Sequence, residues 1–133
     1  MACDRGISTI TIAAEASSQG ALGQEAVAAV ILNRVKDGRW GKTAAAVCLK
    51  RMQFSEWNGD AIDNANLERV ASMDDNSITL AWAARAYDMA LAGSDPTGGC
   101  MWYKRVGSFA SWAVGKTPKI VIGDHEFYND IDS

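Results

Sequence analysis

The sequence has only one histidine and three cysteines, and neither residue type occurs at a spacing typical of metal ligands. Cys3, Cys48 and Cys100 are far apart, odd in number and without a Cys-x-x-Cys pair, so they predict neither a disulfide framework nor a zinc site. His125 has no second histidine beside it, and we expect its ring to form a hydrogen bond within a hairpin. We therefore predict buried or incidental thiols, no metal ion and no cofactor.

The sequence also lacks an excess of positively charged residues. The net charge is -3, and the thirteen Lys and Arg residues are scattered along the chain. Because nucleic-acid binding needs clustered cations that displace counterions from phosphates, this pattern argues against a nucleic-acid partner. We interpret the two short basic pairs, at 50–51 and 104–105, as solvated loops.

No stretch of the chain approaches the roughly 18 consecutive apolar residues that indicate a transmembrane helix. The N-terminal segment also lacks the apolar core and small-residue cleavage site of a signal peptide, because polar residues interrupt it between Ser8 and Glu15. We expect no membrane insertion and no signal peptide.

The remaining composition is that of an average globular domain. Of the 133 residues, 48% are hydrophobic and 22% are charged, which predicts a folded chain rather than a disordered or repetitive one. The length fits one domain of roughly 100–200 residues. We predict a single monomeric domain over residues 1–133.

Hydrophobic periodicity predicts a mainly helical α+β fold with a small C-terminal β-hairpin. The predicted helices cover residues 7–18, 24–36, 43–49 and a segment from Asp75 or Asn76 to Gly93, with a weaker amphipathic pattern at 67–73. The predicted strands, 119–122 and 125–128, are joined by a two-residue turn at Gly123 and Asp124.

Two of these helices have distinct predicted environments. The 24–36 segment is apolar around nearly its whole circumference, which is typical of a central buried helix. The helix that ends at Gly93 is predicted to lie at the surface, with Trp82 in the core. Its apolar stripe consists of Ile78, Trp82, Ala86 and Met89.

Glu15 is the first candidate for chemistry. It is the only ionisable side chain between Arg5 and Glu25, so it has no cation nearby in the sequence. A carboxyl group without an ion-pair partner and near an apolar face tends to keep its proton, as a general acid must. Taken alone, the same pattern also fits an ordinary solvated glutamate on a helix.

Four blocks of sequence occur in an order that resembles the cell wall hydrolase family, which includes the germination-specific spore cortex-lytic enzymes. The first block joins residues 13–17 (AAEAS) to 23–35 (GQEAVAAVILNRV). The other three are QFS at 53–55 with Trp57 and Asn58, DPTGG at 95–99 with Tyr103, and IGDHEFY at 122–128. Together the blocks span nearly the whole chain, which makes the resemblance specific although each block alone is weak.

The resemblance implies a lysozyme-like helical scaffold with Glu15 as the catalytic residue. The chain departs from the family just after this position. Where the family often continues with Ala-Arg-Gly-Glu, this chain has Ala16, Ser17, Ser18 and Gln19, so a second carboxylate is missing.

Five further residues are predicted to bind substrate. Gln53 and Ser55 offer neutral hydrogen-bonding groups to sugar hydroxyl or acetamido groups, although a loop-capping role is equally compatible with them. Trp57 is the best candidate for stacking on a sugar. Tyr103 and Tyr128 have hydroxyls that can donate to the glycosidic oxygen or a ring substituent, with half-buried packing as the alternative.

The predicted function is cleavage of the peptidoglycan glycan strand between N-acetylmuramic acid and N-acetylglucosamine. Resemblance favours lytic transglycosylation, in which Glu15 acts first as acid and then as base and the substrate closes its own 6-hydroxyl onto C1. The alternative within this class is a hydrolytic muramidase whose second carboxylate is Glu56, Asp95 or Asp124.

Rivals from other classes are a non-catalytic peptidoglycan-binding or structural module and an acyl-transfer enzyme that uses Cys100 or a serine with His125. Retention of Glu15 within intact flanking blocks argues against the first, and the missing strand-to-helix elbow argues against the second. Short length and the missing signal peptide favour a phage endolysin. Such a protein is made in the cytoplasm and reaches the cell wall through a separate holin-type pore.

Overall fold

The structure, a computed structural model, describes residues 4–16, 18–49 and 78–129. Its helices are α1 (Asp4–Ala16), α2 (Gly20–Asp37), α3 (Ala44–Leu49) and α4 (Ile78–Leu91), with one 3-10 turn at Ser111–Ala113. Its strands are β1 (Trp102–Arg105), β2 (Ile120–Ile122) and β3 (His125–Tyr128). The predicted mainly helical α+β class is confirmed, and the weak pattern predicted at 67–73 lies outside the described residues.

Helix α2 is the central buried helix, as predicted. Every side chain from Ala26 to Ile31 is buried. The helix is capped by Gly38, which adopts the left-handed conformation with φ 90° and donates its N–H to the carbonyl of Arg34 at 3.0 Å. This is a favoured C-terminal cap for glycine, because residues with a Cβ rarely adopt positive φ.

The other helices pack around α2. Helices α1 and α4 contact α2 and each other, and α3 contacts both α1 and α2. Two ion pairs link α4 to its neighbours, Arg5 with Asp88 at 3.0 Å and Arg85 with Glu25 at 3.2 Å. The first pair is exposed and the second is half-exposed at Arg85, so both add little stability and apolar burial holds the helices together.

The inward face of α4 differs from the predicted stripe. Its buried residues are Ala83, Ala86, Tyr87 and Ala90. Trp82, predicted to be core, is 46% exposed, and the guanidinium of Arg85 lies 5.4 Å from its ring centroid. Alanines and large apolar residues occur on several sides of this helix. Three of the four buried residues are alanines, whose small side chains allow close approach of the neighbouring helices.

The β element is larger than predicted, since a third strand joins the hairpin. The strands form an antiparallel sheet in the order β1-β3-β2, with Tyr103 opposite Phe127 and Trp102 opposite Tyr128. Strand β1 was not predicted, because it is only four residues long and ends in two cationic residues. Its position matters, because β1 carries Tyr103.

The two faces of the sheet pack against different parts of the molecule. Phe127 and Ile122 form a cluster with Ala26 and Val30 of α2. On the opposite face, the indole of Trp102 packs edge-to-face on Trp40 at 5.2 Å, and Tyr128 packs edge-to-face on Trp112 at 5.2 Å. Tyr103 contacts both hydrophobic clusters.

Cys48 and Cys100 are buried thiols, in agreement with the buried or incidental thiols that the sequence predicts. None of the described helices combines the length and apolar character needed to cross a membrane. Among the described residues, no group of three or more His, Cys, Asp or Glu side chains is arranged to hold a metal ion.

The two phenylalanines of the C-terminal half provide a matched test of this packing. Phe127 is fully buried, whereas Phe109 is 82% exposed. We expect Phe127→Ala to lower the free energy of unfolding by about 3–5 kcal/mol, and Phe109→Ala to change it by less than about 0.5 kcal/mol. Urea unfolding followed by circular dichroism measures both values, and equal losses would contradict the described core.

Candidate active site

Glu15 lies in the last turn of α1 and is partly buried. The hydroxyl of Tyr103, 88 residues away in the sequence, donates a hydrogen bond to its Oε1 atom at 2.8 Å. The fold therefore brings together two of the predicted site residues, one from the helical part and one from the sheet.

The ring of Tyr103 is held by its neighbours on β3. It stacks on Phe127 with ring centroids 5.6 Å apart and packs edge-to-face with His125 at 5.0 Å. Because alternate residues of a strand point to the same face, Tyr103, Phe127 and His125 share one face of the sheet. These contacts leave the Tyr103 ring little freedom to rotate away from Glu15.

Arg34 is a buried cation that the sequence did not associate with Glu15. Its side chain is only 6% exposed, its Nε donates to the carbonyl of Met101 at 2.6 Å, and it lies 4.9 Å from the ring centroid of Trp40. Burial lowers the pKa of Arg34 to about 10, whereas its interactions with Tyr103, Cys48 and Glu15 raise that pKa. Arg34 therefore stays charged at neutral pH and acts electrostatically on Glu15.

This cation corrects the expectation that Glu15 lacks one nearby. The expectation is right for the neighbours along α1 and wrong for the folded chain, where α2 supplies Arg34. A sequence signal for Arg34 did exist, because it continues the buried stripe of Val27 and Ile31 at helical spacing. A charge on a buried stripe indicates a specific partner.

Opposing influences act on the Glu15 carboxyl group. Glu15 lies at the C-terminal end of α1, where the partial negative charge of the helix disfavours a carboxylate. The hydrogen bond from Tyr103 and the positive charge of Arg34 favour the carboxylate. The effects of the helix end and of these two groups on the Glu15 carboxylate are therefore opposite in sign.

His125 is buried against Tyr103 and is only 3% exposed. Its Nδ1 atom has no hydrogen-bond partner among the described residues, so the hydrogen bond predicted within the hairpin is not found at this atom. Burial lowers the pKa of His125 and the nearby positive charge of Arg105 lowers it further, against a smaller opposite effect of Asp124. At pH 7 and above, His125 is therefore a neutral ring that packs on Tyr103.

Gln19 connects the start of α2 to the turn between β2 and β3. Its Oε1 accepts the backbone N–H of Asp124 at 2.7 Å, and its Nε2 donates to Oδ2 of Asp124 at 3.1 Å. The position where the family often has a second glutamate is thus occupied here by a side chain that hydrogen-bonds the hairpin.

The other candidate carboxylates have structural partners. Asp95 accepts hydrogen bonds from the side chains of Asn33 and Thr97 and from the backbone N–H groups of Thr97 and Gly99. Burial raises the pKa of Asp95, but these four hydrogen bonds outweigh that effect and keep the pKa below its ordinary value. Glu56, the remaining candidate, lies outside the described residues.

Tyr128 is not beside Glu15. The strand register places it on the face opposite Tyr103, where its hydroxyl donates to Glu126 at 3.0 Å and it is only 4% exposed. Its surroundings agree with the packing alternative that the sequence left open for this tyrosine.

Three predicted substrate-binding residues, Gln53, Ser55 and Trp57, lie outside the described residues. Cys100, the nucleophile of the acyl-transfer alternative, is fully buried, and its Sγ donates to the carbonyl of Thr97 at 3.3 Å. A thiol enclosed in this way is poorly placed to attack a substrate.

The chain belongs to the cell wall hydrolase family, whose sequence profile matches residues 18–128. The matched segment includes Tyr103 and Tyr128 and begins three residues after Glu15. No curated protein matches the sequence significantly.

Two solved structures extend the comparison across α1. The chain is similar to the catalytic domain of the Bacillus cereus SleB protein, with 27% identity and a TM-score of 0.74 over 95% of this chain and 89% of that one. It is also similar to the catalytic domain of the germination-specific lytic transglycosylase SleB from Bacillus anthracis. There the identity is 27% and the TM-score 0.73, over 95% of this chain and 93% of that one.

The buried His125 predicts a specific dependence of stability on pH. Because its pKa is lower in the folded protein than the value of about 6.5 in an unfolded chain, the unfolded chain binds more protons between those two values. This contribution is complete above about pH 6.5 and is lost as the pH falls towards the folded pKa. We expect wild type to lose more stability than His125→Phe between about pH 7 and pH 5.

Urea unfolding of both proteins at several pH values measures this difference. The comparison cancels the contributions of the carboxylates that do not interact with His125, which both proteins share. Parallel stability curves for the two proteins below pH 7 would show that His125 does not titrate differently on folding.

Proposed function

We propose that this protein cleaves the glycan strand of peptidoglycan between N-acetylmuramic acid and N-acetylglucosamine, as a lytic transglycosylase with Glu15 as its single catalytic carboxyl group. The observation that carries the proposal is the hydrogen bond between Tyr103 and Glu15 at the junction of α1 and the sheet. Membership of the cell wall hydrolase family and the similarity to a lytic transglycosylase catalytic domain support it.

In the first step, protonated Glu15 gives its proton to the glycosidic oxygen. The bond between that oxygen and C1 of N-acetylmuramic acid breaks, and positive charge develops at C1. The leaving sugar departs as a free alcohol, and Glu15 is left as a carboxylate. The Tyr103 hydroxyl and the Arg34 cation stabilise that carboxylate.

In the second step, the 6-hydroxyl of the same N-acetylmuramic acid attacks C1. Its proton passes to the Glu15 carboxylate, which regains the protonated form in which it began. The product is a 1,6-anhydro sugar, and no water is consumed. One carboxyl group is sufficient for this cycle.

The partners of the other carboxylates support a route with one acid. Asp95 is occupied by four hydrogen bonds, Asp124 accepts from Gln19, and Glu126 pairs with Lys104. In the hydrolytic alternative, Glu56, Asp95 or Asp124 would have to activate water.

Gln53, Ser55 and Trp57 are proposed to bind the sugars. Gln53 and Ser55 offer hydrogen-bonding groups, and Trp57 offers a flat face for stacking. An origin as a phage endolysin, synthesis in the cytoplasm and release through a separate pore also remain proposals. The two compared SleB proteins come from Bacillus species, so the comparisons do not bear on that origin.

Glu15→Gln tests the central residue. The amide has nearly the same shape and still accepts the Tyr103 hydrogen bond, but it has no carboxylic proton to give. We expect the fold to persist and the rate of peptidoglycan solubilisation to fall by about 10²–10⁴-fold, which is the usual contribution of a positioned acid or base. Circular dichroism and a turbidity assay on the same sample measure both effects.

Glu25→Gln is the matched control, since Glu25 is also a partly buried helical glutamate, and its carboxylate pairs with Arg85 of α4. It should cost little stability and leave the rate unchanged. A folded Glu15→Gln protein with the wild-type rate would remove Glu15 from the mechanism.

Product analysis distinguishes the two routes of cleavage. We expect mass spectrometry of digested peptidoglycan to show fragments that end in 1,6-anhydro-N-acetylmuramic acid, since the substrate supplies the nucleophile. Fragments with a reducing N-acetylmuramic acid end would mean that water attacks C1 and that a second carboxylate activates it. Binding without released fragments would favour a non-catalytic module.

A further inference from the structure

We propose that Gln19 and Asp124 are positioning residues that hold the Tyr103 hydroxyl on Glu15. The inference rests on the proposed function, because it concerns the geometry of the proposed catalytic carboxyl group. Neither residue touches the reacting atoms in this proposal. They act by fixing the β2–β3 turn against the junction of α1 and α2.

The contact between them is reciprocal and directional. The Gln19 amide uses its oxygen to accept the Asp124 backbone N–H at 2.7 Å and its nitrogen to donate to the Asp124 carboxylate at 3.1 Å. Gly123, at φ 59°, completes the turn, and a Cβ at that position would collide with Oε1 of Gln19. Two hydrogen bonds of defined geometry therefore fix both the distance and the angle of the turn.

The helical side of this contact is close to Glu15. Gln19 is four residues after Glu15 in the sequence, and its own backbone N–H donates to the carbonyl of Ala16 at 3.0 Å. The end of α1 and the side chain of Gln19 are thus parts of one hydrogen-bonded segment. A change in the contact at Gln19 acts on the end of the helix that carries Glu15.

The sheet side of the contact reaches Tyr103 in two ways. Asp124 directly precedes His125, whose ring packs on Tyr103 at 5.0 Å. The carbonyl of Asp124 also accepts the N–H of Val106 at 2.8 Å, at the end of the strand that contains Tyr103. Fixing Asp124 therefore fixes β1 and the Tyr103 ring.

Apolar packing alone does not set this geometry. Phe127 and Ile122 hold the sheet on α2 through Ala26 and Val30, but apolar contacts are non-directional and tolerate small sliding movements. A displacement of about 1 Å in a catalytic group can cost on the order of 10²-fold in rate. The Gln19–Asp124 contact restrains such sliding without being essential for the fold.

The contact requires a neutral amide at position 19. A carboxylate there can still accept the Asp124 backbone N–H, but it has no hydrogen to donate to the Asp124 side chain. Two carboxylates at this distance repel each other unless they share a proton. Gln19→Glu should therefore disrupt the contact at neutral pH and restore it as the pH falls.

We expect Gln19→Glu to lower kcat about tenfold at pH 7.5, a loss within the range of coupling energies between neighbouring residues. KM should change less than about twofold, because neither Gln19 nor Asp124 touches the substrate in this proposal. The ratio of mutant to wild-type kcat should rise towards one at acidic pH, because the introduced carboxyl group then shares a proton with Asp124. Using the ratio cancels the titration of Glu15, which both proteins share. Peptidoglycan fragments of defined length serve as the substrate.

Rescue by a second substitution provides the sharpest test. In Gln19→Glu combined with Asp124→Asn, donor and acceptor are exchanged, so the new amide donates to the new carboxylate and the backbone hydrogen bond remains. The double variant should recover kcat to within about threefold of wild type and lose the added pH dependence. Asp124→Asn alone keeps an acceptor oxygen for Gln19 and should lower kcat no more than about threefold.

Asp88→Asn is the control for the loss of a polar contact that links two helices away from the site. Asp88 of α4 pairs with Arg5 of α1 on the exposed surface. The Asp88→Asn protein should have the wild-type kcat and pH profile.

Three outcomes would overturn the proposal. Gln19→Glu could have the wild-type kcat and pH profile, Gln19→Glu could lower only the melting temperature, or the added Asp124→Asn substitution could fail to restore kcat. Loss of all activity in Asp124→Asn alone would also overturn it, since Asp124 would then act directly.

Failure of the proposed function would give different results from failure of the positioning role alone. In that case Glu15→Gln would retain activity, whatever the Gln19 variants show. An inactive Glu15→Gln protein together with a fully active Gln19→Glu protein would reject only the positioning role.

Discussion

Helix α2 has to be shielded from water on nearly its whole circumference, because every side chain from Ala26 to Ile31 is buried. One neighbouring element cannot cover such a helix. The chain therefore packs α1, α3 and α4 against it and places the sheet on a remaining side, where Phe127 meets Ala26 and Val30. The relative positions of α1 and the sheet follow from their contact with this common helix.

That arrangement explains why the candidate site lies between α1 and β1. Glu15 reaches the junction from the end of α1, and Tyr103 reaches it from the middle of β1. Arg34 comes from α2 itself and is buried there because the carbonyl of Met101 and the ring of Trp40 satisfy its guanidinium. A buried charge without such partners would destabilise the central helix. The same helix thus supplies both the support of the site and its cation.

Features that depend on the local sequence pattern could be predicted. Contacts between residues that are far apart in the sequence could not. Periodicity identified α2 as central. The resemblance to the cell wall hydrolase family, together with the lack of local cations, selected Glu15 as the candidate acid. Periodicity did not select the inner face of α4, since apolar residues surround that helix and Trp82 lies outside. The Gln19–Asp124 contact was missed because the two residues are 105 positions apart in the sequence. The place of Arg34 on the buried stripe of α2 indicated a specific partner, but not that Glu15 is one of the groups it acts on. The pairing of Tyr103 with Glu15 is equally non-local, and only the resemblance placed both in one site.

A carboxyl group that donates a proton and then takes one back must be stable enough in both forms. If the environment strongly favoured the acid, the second proton transfer would have no base, and if it strongly favoured the carboxylate, the first transfer would have no acid. Glu15 lies between opposing influences, with the C-terminal end of α1 on one side and the Tyr103 hydroxyl and Arg34 on the other. Their balance depends on distance, so it requires a fixed separation between α1 and β1. The packing on α2 and the hydrogen bonds of Gln19 maintain that separation, and this links the stability of the fold to the chemistry proposed for its one acid.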